Sequence, residues 1–223
     1  RHMNSDSDSE VLLNIFAHEL GKQKAILPSK KHFFQAVRKT HVRCQGSYAV
    51  VALITGFGLV AFRDPRGIRP LVIGEKDGPT KKEYIVASEN ASFSALGFKT
   101  LRDVEPGEAI YIDVDGNLHS EQCSDGSQPT PCLFEYVYLA RPDSTLDAIS
   151  VYKARMRMGQ KLAKKILRLN PNHDIDVVIP IPDSSTTAAL QLSAALKLPY
   201  RQGFVKNRYV GRTFITVSYT HLT

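Results

Sequence analysis

The pattern of apolar residues changes part-way along this 223-residue chain, and that change limits the possible folds more than any other feature. Up to residue 122, short runs rich in β-branched residues alternate with turn signals, which predicts antiparallel hairpins. Asp115-Gly116 is the strongest of these turn signals. Beyond the polar residues 124–130 the pattern changes to a long helix, a continuous apolar strand, a polar loop and another helix. Such a unit is typical of a parallel sheet covered by helices.

The same patterns place the individual elements. Two helices are expected first, at residues 8–20, behind an S-x-x-E capping box, and at residues 29–43. The predicted strands of the first half are 48–55, 59–63, 69–74, 83–88, 108–114 and 117–122. The second half should contain a helix at 146–169, a strand at 176–182, a helix at 188–198 and a strand at 200–205. We therefore predict an α+β layered domain followed by the beginning of an α/β domain.

Composition excludes several classes of protein. Apolar residues make up 43% of the chain, enough for a sizeable core, yet no apolar run is long enough to cross a bilayer. The polar, acidic first residues do not form a signal peptide. Three scattered cysteines, Cys44, Cys123 and Cys132, show no C-x-x-C spacing. These features predict a reducing, cytoplasmic setting and no membrane partner.

The net charge of +7 is compatible with nucleic acid or with small phosphorylated ligands. Part of it lies on the predicted helix 146–169, where a solvated face is the simpler interpretation. A tighter group, Lys206, Arg208 and Arg212, falls in residues 206–213 (KNRYVGRT), which also contain Tyr209 and Gly211. Arginines can clamp phosphate and a glycine can act as a hinge, although an exposed basic loop is an equally simple interpretation.

Two further positions are suited to ligands. Asp8 lies in the first turn of a helix, where a carboxylate stays ionised and can hold an ammonium group, although acidic residues are favoured there in any case. Residues 183–187 (DSSTT) follow a buried strand and open a helix, the edge at which open α/β sheets bind ligands. Helix N–H groups and hydroxyls there suit phosphate or Mg²⁺, and plain N-capping is the alternative.

Five runs, in order, resemble the amidophosphoribosyltransferases. They are residues 62–71 (FRDPRGIRPL), 86–89 (VASE), 133–144 (LFEYVYLARPDS), 177–185 (VVIPIPDSS) and 200–215 (YRQGFVKNRYVGRTFI). The resemblance extends from residue 1 to residue 215. It implies residues 1–127 from an N-terminal-nucleophile glutaminase domain and residues 128–215 from the first part of a phosphoribosyltransferase domain. Residues 216–223 break the pattern and are interpreted as a foreign tail.

The resemblance also implies an activity. The glutaminase domain releases ammonia from glutamine, and the transferase domain adds it to phosphoribosyl pyrophosphate, which gives 5-phosphoribosylamine and pyrophosphate for purine synthesis. It further implies Mg²⁺, purine nucleotide inhibitors and a homo-oligomer, and no nucleic-acid partner.

Residue roles carry over from the resemblance position by position. Asp8 matches the aspartate that binds the α-amino group of glutamine, and Ser184 matches a Mg²⁺ position beside the pyrophosphate. Tyr138 matches a residue of the ammonia channel. The phosphoribosyl loop includes Lys206, Arg208, Tyr209, Gly211 and Arg212. The run Arg63-Asp64-Pro65 with Gly67-Ile68-Arg69-Pro70 matches a hairpin that we interpret as structural.

The chain also departs from the family pattern. The N-terminal cysteine nucleophile, the Asn-Gly pair of the oxyanion hole and the acidic V-D-D-S loop are absent from the sequence given. We therefore expect this polypeptide alone to have neither half-activity, a hypothesis that glutamate release would refute. Some family members hold a four-iron four-sulfur cluster. Cys132 lies near one ligand position, but the LFEYVY context favours the branch without a cluster.

Two alternatives from other classes remain open. One is a non-catalytic binding or regulatory protein with a phosphoribosyltransferase fold, whose binding to nucleic acid would depend steeply on salt. The glutaminase-like first half disfavours it. The other is a different glutamine-dependent amidotransferase, such as a relative of asparagine synthetase, and the KNRYVGRTFI run disfavours that one.

Overall fold

The structure is a computed structural model that describes residues 3–125, 128–207 and Tyr209. The chain divides into two compact units, Arg1–Val151 and Tyr152–Thr223. In chain order the first unit contains α1 (Asp8–Gly21), α2 (Lys30–Arg43), β1 (Ala49–Ile54), β2 (Gly58–Arg63), β3 (Val72–Asp77), β4 (Lys82–Ala87), β5 (Lys99–Asp103), β6 (Glu108–Asp113), β7 (Leu118–Gln122), β8 (Thr145–Leu146) and β9 (Ile149–Ser150). A short 3₁₀ turn spans Ser94–Leu96 and a π-helical turn spans Glu135–Leu139.

Two antiparallel sheets form the body of the first unit. The larger has the strand order β1-β2-β6-β7 and the smaller has the order β4-β3-β5. Residues 55–57 turn the chain from β1 into β2, and Gly58, the first residue of β2, has φ +128° and pairs with Asp113 of β6. A Cβ at Gly58 would collide with the Ile112 carbonyl oxygen, so only glycine fits at this point.

The alternation of side chains in β2 and β6 builds two cores. Val60, Phe62 and Tyr111 point to one face of the larger sheet, where they pack with Phe16 of α1 and Phe33 of α2. Ala61 and Ile110 point to the opposite face, where they pack with residues of the smaller sheet and its connections. The unit is therefore layered as helices, sheet and sheet, which confirms the predicted arrangement of antiparallel sheets with helices.

The second unit has less regular structure among its described residues. It contains most of α3 (Val151–Leu169) and all of α4 (Thr186–Leu196). The predicted strands 176–182 and 200–205 meet in one parallel bridge, between Val178 and Tyr200. Neither segment is a regular strand, and Ile179 and Ile181 remain 42% and 62% exposed. Strands of a parallel sheet are normally covered on both faces, and a single bridge does not make a sheet, so the predicted parallel sheet stays a prediction.

Two predicted boundaries were wrong, and one strand was not predicted. The strand predicted at 69–74 lies at Val72–Asp77, because the Asp64 carboxylate binds the backbone amides of Arg66, Ile68 and Arg69 and holds them in a turn. Strand β5 was missed. The helix predicted from residue 146 begins at Val151, after the β8–β9 hairpin.

The predicted domain boundary at 127/128 stays a prediction. In the structure, residues 128–151 belong to the first compact unit. The backbone amides of Thr130 and Cys132 donate to the carbonyls of Arg66 and Ile68, at 2.8 and 3.3 Å. The predicted tail, residues 216–223, lies outside the described residues.

Candidate functional site

Asp8 is exposed at the first position of α1, where the sequence predicted it. The Ser7 hydroxyl caps the helix by accepting from the Ser9 amide, 3.3 Å away. The predicted capping box does not form, because the Ser7 hydroxyl accepts from the Ser9 amide and not from the Glu10 amide. The Glu10 carboxylate accepts instead from the Asn4 amide at 2.8 Å and the Ser5 hydroxyl at 2.6 Å. These bonds lower the pKa of Glu10, with the Ser5 bond the largest cause.

An open groove of about 930 Å³ lies beside Asp8 in the first unit. Its walls are largely apolar and come from α1 and from β1, the edge strand of the larger sheet. Asp8, Arg43 and Arg69 are its charged lining residues. Arg43 is paired with Glu19 at 2.7 Å and Arg69 with Glu135 at 2.6 Å. Asp8 has no ion-pair partner among the residues described and is therefore the carboxylate available to an ammonium group in this groove.

The second unit places the polar loop 183–185 directly before α4. The Ser185 hydroxyl donates to the Ile181 carbonyl at 2.6 Å, and the Thr186 amide donates to the Asp183 carbonyl at 3.2 Å. These bonds close the turn that holds Ser184. Ser184 is half-buried, and within the described part of the chain its hydroxyl makes no hydrogen bond. Its hydroxyl is thus available to a ligand, and the predicted Mg²⁺ role of Ser184 stays a prediction.

Lys206 is brought to the same loop. Its ammonium nitrogen lies 3.6 Å from Oδ2 of Asp183, and both side chains are exposed. Tyr209 is fully exposed, and its amide donates to the Asn207 side chain at 3.0 Å. Arg208, Gly211 and Arg212 lie outside the described residues, so their predicted roles stay predictions.

Tyr138 and Cys132 lie in the first unit, within or just before the π-helical turn. Tyr138 is half-buried, and its ring stacks on Phe134 with ring centroids 5.1 Å apart. Cys132 is a half-buried free thiol. Among the described residues no group of three or more His, Cys, Asp or Glu side chains is placed to hold a metal. The role of Tyr138 in an ammonia channel therefore stays a prediction, as does the expectation that Cys132 holds no iron–sulfur cluster.

The predicted structural hairpin is built around Arg63, which is only 2% exposed. Its guanidinium donates to the carbonyls of Gly67, Arg69 and Val104 and to both carboxylate oxygens of Asp147, at 2.7 to 2.9 Å. Burial opposes its charge, but the bonds to Asp147 keep the pKa of Arg63 raised. All five N–H groups of the side chain are used, as a buried guanidinium requires.

Sequence reasoning missed a second group of residues at this end of the unit. Glu89 and Asn90 bind residues 141–145, and Asp147 binds Arg63. Glu89 belongs to the VASE run, to which no role was given. An acidic residue at the end of a strand can bind many kinds of partner, so the sequence alone did not indicate which residues Glu89 binds.

Known proteins provide the remaining observation. No protein-family model matches the chain. It is 58% identical over 215 residues to the amidophosphoribosyltransferase of Pseudomonas aeruginosa and 56% identical over 216 residues to that of Escherichia coli. The chain belongs to the amidophosphoribosyltransferase family. Each match covers 96% of this chain, which spans 43% of the length of these relatives.

Solved structures agree with this assignment. A glutamine phosphoribosylpyrophosphate amidotransferase from B. subtilis, in complex with ADP and GMP, is 35% identical, with a TM-score of 0.75. The match covers 100% of this chain and 44% of that one. A second structure, described as the allosteric regulatory enzyme of purine biosynthesis, has a TM-score of 0.76 at 35% identity. Among the described residues, no helix is long and apolar enough to cross a membrane.

Proposed function

We propose that the whole protein containing this chain is an amidophosphoribosyltransferase of purine synthesis. Glutamine and water give glutamate and ammonia. The ammonia nitrogen then bonds to C1 of phosphoribosyl pyrophosphate, pyrophosphate leaves with the electrons of the broken C–O bond, and the nitrogen loses a proton to give 5-phosphoribosylamine. Identity of up to 58% to relatives of that name, over 96% of the chain, is the observation that supports this most.

In this proposal the groove beside Asp8 receives glutamine. The α-ammonium of an amino acid needs an ionised carboxylate, and Asp8 provides one at the N-terminus of α1, where the helix dipole favours the charge. Asp8 is also the carboxylate in the groove lining. The ammonium would bind beside largely apolar walls, and the bound amino acid would itself cover part of Asp8 from water, which strengthens the bond.

The loop 183–185 receives the pyrophosphate end of the second substrate. The Ser184 hydroxyl is an oxygen ligand of the kind that Mg²⁺ accepts together with substrate phosphates and water. Bound Mg²⁺ would neutralise part of the pyrophosphate charge. Lys206 already lies beside this loop. With little movement, its side-chain ammonium group could leave Asp183 and pair with a phosphate oxygen instead. We assign Arg208, Tyr209, Gly211 and Arg212 to the same phosphoribosyl loop.

The remaining features of the family complete the proposal. The second unit would begin an α/β phosphoribosyltransferase domain with a parallel sheet, and Tyr138 would line the passage for ammonia. The whole protein would be a cytoplasmic homo-oligomer inhibited by purine nucleotides. An iron–sulfur cluster is not proposed.

Separating the two half-reactions in the whole protein tests these assignments. Asp8→Asn should weaken the use of glutamine by about 10- to 100-fold, because the negative charge that pairs with the ammonium is lost, and should leave synthesis from added ammonia unchanged. Asp6→Asn is the matched control, since Asp6 is an exposed aspartate just outside α1. An equal loss with glutamine and with ammonia would contradict the assigned role of Asp8.

A variant of Lys206 tests the second site, the one assigned to phosphoribosyl pyrophosphate. Lys206→Met should reduce synthesis from either nitrogen source and raise the phosphoribosyl pyrophosphate concentration required, while glutamine is still hydrolysed. Lys161→Met, on the exposed face of α3, is the control and should have no effect. If the Lys206 variant instead lost only the glutamine-dependent activity, the assignment of Lys206 would be wrong.

A further inference from the structure

Helix α3 carries a stripe of positive charge along its exposed side. The helix has 19 residues, of which seven are Lys or Arg and none is Asp or Glu. Four of the exposed cations follow one another at intervals of four, three and four residues: Arg157, Lys161, Lys164 and Arg168. At 3.6 residues per turn and 1.5 Å per residue, these four lie within about 60° of the helix surface and span about 16 Å. We call them the cationic stripe.

The charges of the cationic stripe are not neutralised by the described part of the chain. None of the four side chains forms an ion pair with a carboxylate there. Opposite charges three or four positions apart stabilise a helix, whereas like charges at that spacing destabilise it. Each residue of the stripe has such a like-charged neighbour, so the stripe costs the helix stability and returns nothing within its own unit. An exposed face of this kind is suited to a polyanion.

The opposite face of α3 is already covered, which limits the kinds of polyanion. Ala163 on that face is only 2% exposed, and a Cβ at Gly159 would collide with the Ala188 carbonyl of α4. A helix lies in a membrane surface by burying its apolar face, and the apolar face of α3 is packed against its own unit. A protein partner is normally held by an apolar interface centre, whereas the cationic stripe consists of charged residues only. A row of phosphates fits it better.

We propose that the cationic stripe binds the phosphate backbone of double-stranded RNA, a partner that the family resemblance does not imply. The stripe has no aromatic residue on which unpaired bases could stack, which disfavours a single strand. Val151, the first residue of α3, is fully buried, so the helix cannot insert its N-terminal residues into the major groove of DNA as recognition helices do. Duplex RNA is instead recognised by its shape, its phosphates and its 2′-hydroxyls. Gln160, exposed beside the stripe, has an amide that can donate to and accept from a 2′-hydroxyl.

The test is the salt dependence of binding between the whole protein and a fluorescent RNA duplex, followed by anisotropy. Four phosphate contacts should weaken binding about 150-fold between about 50 and 200 mM salt. The double variant Lys161→Gln with Lys164→Gln keeps two contacts, so its binding should weaken only about 12-fold over the same range. Lys31→Gln with Lys39→Gln, at exposed lysines of α2, removes the same charge elsewhere and should behave like the parent. Neither pair belongs to the sites proposed above, so synthesis of phosphoribosylamine should be unchanged in both variants.

Several outcomes would overturn the inference. They are no binding of the RNA duplex by the parent, the same salt dependence in the stripe variant as in the parent, and an equal change in the α2 variant, which would assign binding to net charge alone. A DNA duplex of the same sequence should bind about fivefold more weakly than RNA, the effect of one hydrogen bond to a 2′-hydroxyl, and Gln160→Leu should remove that difference. Equal binding of the two duplexes by the parent, or tighter binding to vesicles of anionic lipid, would refute the assignment to RNA.

Discussion

His41 should make the first unit sensitive to mild acid. Its side chain is 7% exposed in the core between α2 and β2, its Nδ1 lies 2.8 Å from the Tyr48 hydroxyl, and its Nε2 is buried near the Gly107 backbone without a hydrogen bond. Burial lowers the pKa of His41 from 6.5 to about 4, against a smaller opposing effect of the Gly107 backbone and Asp64. The folded protein therefore keeps this imidazole neutral where an unfolded chain would protonate it.

The direction and size of the effect follow from that difference. Above pH 6.5 neither state is protonated and the stability is complete. As the pH falls from 6.5 towards 4, the unfolded state binds a proton that the folded state does not, and stability is lost. A difference of about 2.5 pKa units at about 1.4 kcal/mol per unit gives a loss of about 3 kcal/mol, with no further loss from this group below pH 4.

Urea unfolding of the chain at pH 7.5, 6.5, 5.5 and 4.5, followed by far-ultraviolet circular dichroism, measures this loss. His41→Gln should be less stable at neutral pH but should lose about 3 kcal/mol less than the parent between pH 7.5 and 4.5. His18→Gln, at an exposed histidine of α1, should follow the parent. Equal losses in the parent and in His41→Gln would refute the reasoning, because other groups would then account for the acid sensitivity.

Three further perturbations follow from the structure. Arg63→Met should lower the free energy of unfolding by about 3 kcal/mol, because it leaves buried oxygens without donors; a loss below about 0.5 kcal/mol in a urea titration would contradict this. Gly58→Ala should cost about 2 kcal/mol or more by the same measurement, whereas Gly21→Ala, which meets no atom within 4 Å, should not destabilise. Burial raises the pKa of the Cys123 thiol to about 12, so iodoacetamide at pH 8 should label half-exposed Cys132 before Cys123. Equal labelling rates of these two cysteines, measured by mass spectrometry, would contradict this.

The layered first unit was predictable because its elements carry local signals. Helix α1 follows a serine cap, β1 and β2 are separated by a glycine turn, and Asp115-Gly116 marks the β6–β7 hairpin. Alternation of apolar residues in β2 and β6 also indicated which side chains would be buried. In these elements local preference and tertiary packing agree, and the prediction succeeds.

The errors occur where distant residues decide the local conformation. Strand β5 (KTLRD) is polar and pairs only at the edge of its sheet, with β3, so its sequence carries no strand pattern. The predicted start of α3 was early because the β8–β9 turn depends on Arg63, more than 80 residues before Asp147. The two residues of such a contact are too far apart in the sequence for any local pattern to include both.

The candidate site divides in the same way. Asp8 and Ser184 were found as positions because helix starts have recognisable sequences. Spacing alone favoured an ordinary first-turn acidic residue for Asp8 and plain N-capping for the loop of Ser184. The resemblance to the family changed that balance. The proximity of Lys206 to Asp183 and the bonds of Glu89 and Arg63 to residues 141–147 could be seen only in the folded chain.

Glutamine labelled with ¹⁵N at the amide provides the most direct test of the central claim. The whole protein would be given this substrate with phosphoribosyl pyrophosphate and Mg²⁺, and the trapped product, glutamate and pyrophosphate would be measured. We expect labelled 5-phosphoribosylamine, with one pyrophosphate released for each. Absence of pyrophosphate release, or glutamate formation with no label in a phosphoribosyl product, would contradict the assignment of this chain to an enzyme that joins the two half-reactions.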